Sequence, residues 1–113
     1  MKLRGTNIYM IRGDTEMIEV ACQDSEGVAV PLVDGDKVYF TVKRNVRETA
    51  KALQKVVTVF QDGKASIYIH PEDTKGLDVR AYVYDIQLTR ENGSVKTIVP
   101  MSKFVLEPEV THE

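Results

Sequence analysis

Ser66, His70 and Asp85 are the residue types of a hydrolytic triad, in which a base takes a nucleophile's proton and an acid orients the base. All three must touch. Ser66 and His70 share one phase of an alternating stretch, four positions apart, which is roughly 13 Å along an extended strand at ~3.3 Å per residue. Contact between them is then impossible, so no catalytic residue is expected and the chain reads as a non-enzyme.

His70, His112 and Cys22 are the soft metal ligands, and no two of them stand at a ligand spacing, so a zinc site has nothing to build on. Asp34-Gly35-Asp36, with Asp14 or Asp24, supplies oxygen ligands from which a calcium loop could be assembled. Asp and Gly are also what a bare turn requires, and the turn is the expectation. The seven glycines are dispersed at turns, with no phosphate-binding loop. No metal or other cofactor is expected.

Recognition is better served. Tyr39 and Tyr68 fall on outward phases beside Thr41 and Ser66, and exposed tyrosines favour interfaces because they present apolar area with a polar tip. Lys43, Arg44, Arg47, Lys51 and Lys55 form a basic cluster, read either as a solvated face neutralised by Glu48 or as a site for phosphate or an acidic partner. Tyr39, Thr41, Tyr68, Arg47 and Lys51 are the candidate partner surface. A carbohydrate- or cell-wall-binding module is the alternative, with Tyr39 and Tyr68 flat on one face; the absence of tryptophan counts against it.

The elements that must position these residues are strands. Apolar residues alternate with polar ones over residues 16–22, 37–43, 64–70 and 79–89, the two-residue period of a half-buried strand. Val38, Phe40, Ile67, Ile69, Tyr84 and Ile86 are expected to share one interior. Further strands are expected over 8–11, 28–32 (held to an edge by Pro31), 56–60, 94–99 and 103–106, with Pro100 as an interruption. Asp62-Gly63 between two such runs predicts a hairpin. Asn45, with Glu48 three positions on and apolar residues at Val46, Ala50 and Leu53, predicts a short crossover helix over 45–54. Residues 71–77 predict one tight helical turn ending at Gly76, and Tyr82 or Tyr84 is placed to tie a sandwich corner to its backbone. The pattern predicts an all-β, immunoglobulin-like sandwich of seven or eight antiparallel strands with one short crossover helix; a closed barrel is the runner-up.

A chain of 113 residues fits one domain, expected over 1–107 with a flexible tail at 108–113. Fifteen basic against seventeen acidic side chains leave a net charge of −2 and no long-range field to recruit nucleic acid or an anionic membrane. One cysteine rules out an internal disulfide, which favours a reducing compartment. The start lacks the unbroken apolar core of a signal peptide, and no apolar run approaches the ~20 residues that span a bilayer. A soluble protein is expected.

Gly13-Asp14-Thr15, Pro31-Leu32 with Gly35-Asp36, the strand from Val38 to Lys43, Asp62-Gly63-Lys64-Ala65, Pro71-Glu72-Asp73-Thr74 and the strand from Tyr82 to Thr89 together resemble a known group. The chain is similar, over nearly its whole length, to small β-sandwich proteins of tailed phages and prophages of Gram-positive bacteria, and among these to the amino-terminal domain of phage baseplate upper proteins. The resemblance implies an immunoglobulin-like fold and a tail, baseplate or accessory structural role. It implies assembly in the bacterial cytoplasm followed by residence in the virion, with other virion proteins or further copies of itself as partners. It carries over no catalytic residue.

Overall fold

The computed structural model describes residues 1–111. Among them, ten strands and one short helix follow in chain order: β1 (Lys2–Arg4), β2 (Asn7–Ile11), β3 (Glu16–Val20), β4 (Cys22–Gln23), β5 (Ala29–Val30), β6 (Lys37–Lys43), β7 (Leu53–Val57), β8 (Ala65–Ile69), α1 (Pro71–Lys75), β9 (Ala81–Thr89) and β10 (Val95–Glu107). The all-β class is thus as expected. Six strands form one sheet in the order β1-β2-β10-β9-β6-β7, while β3 pairs with β8 and β4 with β5 in two small sheets.

Alternation along each strand decides which side is buried. Val38, Phe40 and Val42 of β6, Tyr82, Tyr84, Ile86 and Leu88 of β9, and Phe104 and Leu106 of β10 enter one core, joined by Val20, Ala65, Ile67 and Ile69 from the β3–β8 pair. The six residues expected to share an interior all lie in it. At its centre the Phe40 ring stands 5.4 Å from Tyr84 and 5.9 Å from Phe104, tilted or edge-on, as aromatic quadrupoles prefer.

Several local expectations are corrected. The crossover helix does not form. Its capping signal is real, since Asn45 Oδ1 accepts from the amides of Arg47 and Glu48 at 3.0 and 3.2 Å. Yet the turn is not extended: the Ala52 amide returns to the Val42 carbonyl at 2.8 Å, and Leu53 opens β7, buried and paired with Val42. A helix this short has little stability alone, and pairing with β6 wins.

The Asp62-Gly63 turn forms with both residues at positive φ (55° and 73°), but it closes only the single bridge between Gln61 and Lys64. β7 belongs to the large sheet and β8 to the small one, so the turn carries the chain between sheets instead of closing a hairpin. Pro100 does not interrupt the last strand. It sits in a bulge, because β10 is in register with β9 at Val99↔Ile86 and again at Ser102↔Tyr84, which leaves Pro100 and Met101 opposite Asp85 alone. A bulge tolerates the missing amide hydrogen.

The strands are not all antiparallel, since β2 and β10 run parallel, and the described residues hold ten where seven or eight are expected. Helix α1 matches the expected tight turn and ends at Gly76. Within the expected tail, Glu109 accepts from Arg12 Nε at 3.0 Å. The tail's last two positions, 112 and 113, lie outside the described residues.

Candidate functional site

The pleat that sends Phe40 and Tyr84 inward sends their neighbours to the opposite face of the six-stranded sheet. Tyr39, Thr41 and Lys43 of β6 stand there beside Gln54 and Val56 of β7 and Val83, Asp85 and Gln87 of β9. The register puts Thr41 between Gln54 and Asp85, and Tyr39 between Val56 and Gln87. The β10 bulge adds Met101, which is 61% exposed. The irregular segment over 44–52 walls one side through Val46 and Lys51, and the hollow of about 320 Å³ is lined by these two with Thr41, Lys43, Asp85 and Met101.

The polar groups in the hollow differ in how far they are already engaged. Gln54 Nε2 donates to Thr41 Oγ1 at 3.0 Å, and Lys51 Nζ donates to Gln54 Oε1 at 3.2 Å. Asp85 has only a long contact from Gln87 Nε2 at 3.5 Å among the described residues. Burial pushes the Asp85 carboxyl above the ordinary aspartate value, and the Lys43 ammonium pulls the other way more weakly. A recessed carboxylate between two lysines, on an apolar rim, can pair with charged groups brought by another surface.

The expected partner-surface residues divide. Tyr39, Thr41 and Lys51 come together on this face; Arg47 is exposed on the 44–52 segment, next in sequence to Val46 but not among the residues that line the hollow, and not on a helix. Tyr68 does not join them: it is 53% exposed on β8, paired with Met17 in the other sheet. The flat two-tyrosine platform expected of a sugar-binding face is therefore not assembled. The basic cluster is also dispersed by ion pairs, Arg44 with Asp78 at 2.8 Å and Lys55 with Asp73 at 2.7 Å.

The triad candidates are likewise separated. Ser66 is on β8, Asp85 is on the large sheet, and His70 is exposed at the start of α1, where its amide donates to Asp73 Oδ2 at 2.7 Å. Of the calcium candidates, Asp36 is 2% exposed and engaged by Arg90, while Asp24 Oδ1 accepts from the amides of Glu26 and Val28. Among the described residues no group of three or more His, Cys, Asp or Glu side chains is placed to hold a metal; His112 lies outside them. Nor is any helix among them long and apolar enough to cross a membrane.

Sequence reasoning missed Asp85 and Met101 as members of the candidate face. The available signal for Asp85 was an acid in the middle of the longest alternating strand. Met101 was hidden because Pro100 reads as a strand break when the bulge is unknown. Comparison with protein-family models, with curated proteins and with solved structures returns no match.

Proposed function

We propose that the chain is a non-catalytic, immunoglobulin-like β-sandwich module of a phage or prophage particle, associated with the tail or baseplate, which acts through protein contacts. The single observation that carries the contact reading is the outer face of the large sheet. Tyr39, Val56 and Met101 are at least partly exposed there, around a hollow whose ionisable groups suit pairing with another surface.

The immunoglobulin-like reading is supported by strand order. The run β10-β9-β6-β7 corresponds to the G-F-C-C′ sheet of such domains and β3-β8 to a B-E pair across the core. A further support is Tyr82, early in β9 after the α1 corner, whose hydroxyl donates to the Asp78 carbonyl four residues upstream at 2.7 Å. That is the tyrosine-corner arrangement, in the position where strand F begins. The phage assignment is supported by the resemblance of the motifs in the sequence.

The test is mass spectrometry of particles purified after prophage induction. The chain should be present at stoichiometric copy number. A folded Met101→Glu variant, which places a charge on the apolar rim, should be depleted from them. Particles without the chain, or equal incorporation of the variant, would overturn the proposal.

A further inference from the structure

The basic cluster read from the sequence is spent unevenly. Arg44 is paired with Asp78 and Lys55 with Asp73, whereas Lys43, Arg47 and Lys51 form no ion pair among the described residues. Lys43 and Lys51 line the hollow on the outer face of the large sheet; Arg47 stands outside its lining. Glu48, expected to neutralise the cluster, lines a second hollow with Arg44 and Asp78, and Lys51 stands on the divide between the two. The charged lining of the first hollow is therefore two ammonium groups against the single carboxylate of Asp85. Burial disfavours the ionised form of that carboxylate, and Lys43 offsets this only in part.

We infer that this hollow receives an acidic side chain from a segment of a neighbouring protein in the particle, its carboxylate held between the Lys43 and Lys51 ammonium groups and a backbone N–H of the same segment donated to Asp85. The inference rests on the protein-contact reading above and gives the chemistry of the partner. Thr41 supplies a further donor, because its hydroxyl accepts from Gln54 Nε2 at 3.0 Å and keeps its own proton to give. Asp85 supplies the acceptor: Gln87 Nε2 at 3.5 Å is its one hydrogen-bond contact among the described residues, so most of its lone pairs are open.

The same features favour a peptide over a nucleic acid. A peptide brings N–H donors together with its carboxylate, whereas a phosphodiester backbone brings acceptors alone and would set its charge against Asp85. The rim agrees, since Val46 and Met101, 64% and 61% exposed, offer apolar area that the flanking side chains of a peptide can cover. The net charge of −2 gives the chain no long-range pull on a polyanion. Recessed between the sheet and the 44–52 segment, a carboxylate–ammonium contact meets less solvent screening than one on an open surface.

The experiment is carbodiimide cross-linking of particles purified after prophage induction, read by mass spectrometry. The reagent activates a carboxyl group and joins it to a touching amine as an amide, the displaced oxygen leaving in the urea formed from the reagent. Lys43 or Lys51 should be joined to an Asp or Glu of a different protein. Lys43→Arg with Lys51→Arg keeps both charges and removes both amines, so this variant should enter particles as wild type does and lose the cross-link. Lys43→Glu with Lys51→Glu should be depleted from particles at least about tenfold, because like charges then meet across the contact. Lys51→Glu alone, at an exposed position, serves if the double variant fails to fold. The inference is overturned if the chain is present in particles and neither lysine is joined to another protein, or if the only cross-links run to Asp85, to Glu48 or to a second copy. It is equally overturned if folded charge-reversed variants enter particles as wild type does, if the arginine variant is depleted as strongly as they are, or if ultraviolet light joins this hollow to nucleic acid. In each of these cases depletion of Met101→Glu leaves the contact reading standing. Absence of the chain from particles removes that reading, and the inference with it.

Discussion

Arg90 Nη1 donates to Asp36 Oδ2 at 2.7 Å, and the same carboxylate oxygen accepts from the Val33 amide at 3.1 Å. Asp36 is 2% exposed just before β6 and Arg90 lies just after β9, so the pair joins the ends of two neighbouring strands. Arg90→Ala should leave a buried charge with one amide for company and cost about 3 kcal/mol, by the usual penalty for breaking a buried pair. Urea denaturation measures this directly; a loss under about 1 kcal/mol would show that water already serves Asp36.

Tyr82 is 2% exposed, and burial raises its phenol above the ordinary tyrosine value. Tyr82→Phe keeps the ring and removes only the hydroxyl that reaches the Asp78 carbonyl, so thermal denaturation should report about 1 kcal/mol of lost stability. An unchanged midpoint would remove the corner role.

Phe40 is fully buried between Tyr84 and Phe104. Phe40→Ala should cost about 3–5 kcal/mol through lost transfer energy and the cavity left behind. Against a total domain stability of roughly 5–15 kcal/mol that is a large share, and the thermal midpoint followed by circular dichroism should fall well below that of wild type. A cooperative transition within about 1 kcal/mol of wild type would contradict the core described here.

Two aspartates should give opposite pH signatures. Burial works to raise the Asp73 carboxyl, but the Lys55 ammonium and the His70 amide outweigh it, leaving Asp73 below the ordinary value of 3.8. Its contribution is complete above that value and is lost as pH falls through the lower folded value, so stability should drop below about pH 4. Asp73→Asn should flatten that part of the profile.

Asp85, raised mainly by burial, binds its proton more tightly folded than unfolded. Ionising it therefore costs stability as pH rises from the ordinary value through the folded one, and the cost persists at neutral pH. Asp85→Asn should stabilise the dilute protein at pH 7, as expected of a residue kept for contact at the expense of the fold. A destabilised Asp85→Asn variant would contradict that reading.

The residues that line the core were legible because burial follows alternation. Val38, Phe40 and Val42 enter the interior while Tyr39, Thr41 and Lys43 do not, and no knowledge of partners is needed to separate them. The candidate face was legible only in part. Tyr39 and Tyr68 carry the same outward signal in the sequence, and nothing local says that their strands belong to different sheets. The segment over 45–54 shows the same limit from the other direction: its capping bonds form as read, and a strand pairing with β6 still takes Leu53.

The all-β class, the inward and outward phases and the turn positions were set by the sequence itself, because the two-residue strand period and the φ preferences of Gly, Asn and Asp act within a few bonds. Sheet membership, the parallel β2–β10 pair, the Pro100 bulge and the meeting of Asp85 with Lys43, Lys51 and Met101 were decided only by tertiary structure. Each depends on which distant strand supplies the hydrogen-bond partner, and alternation looks the same whichever strand that is.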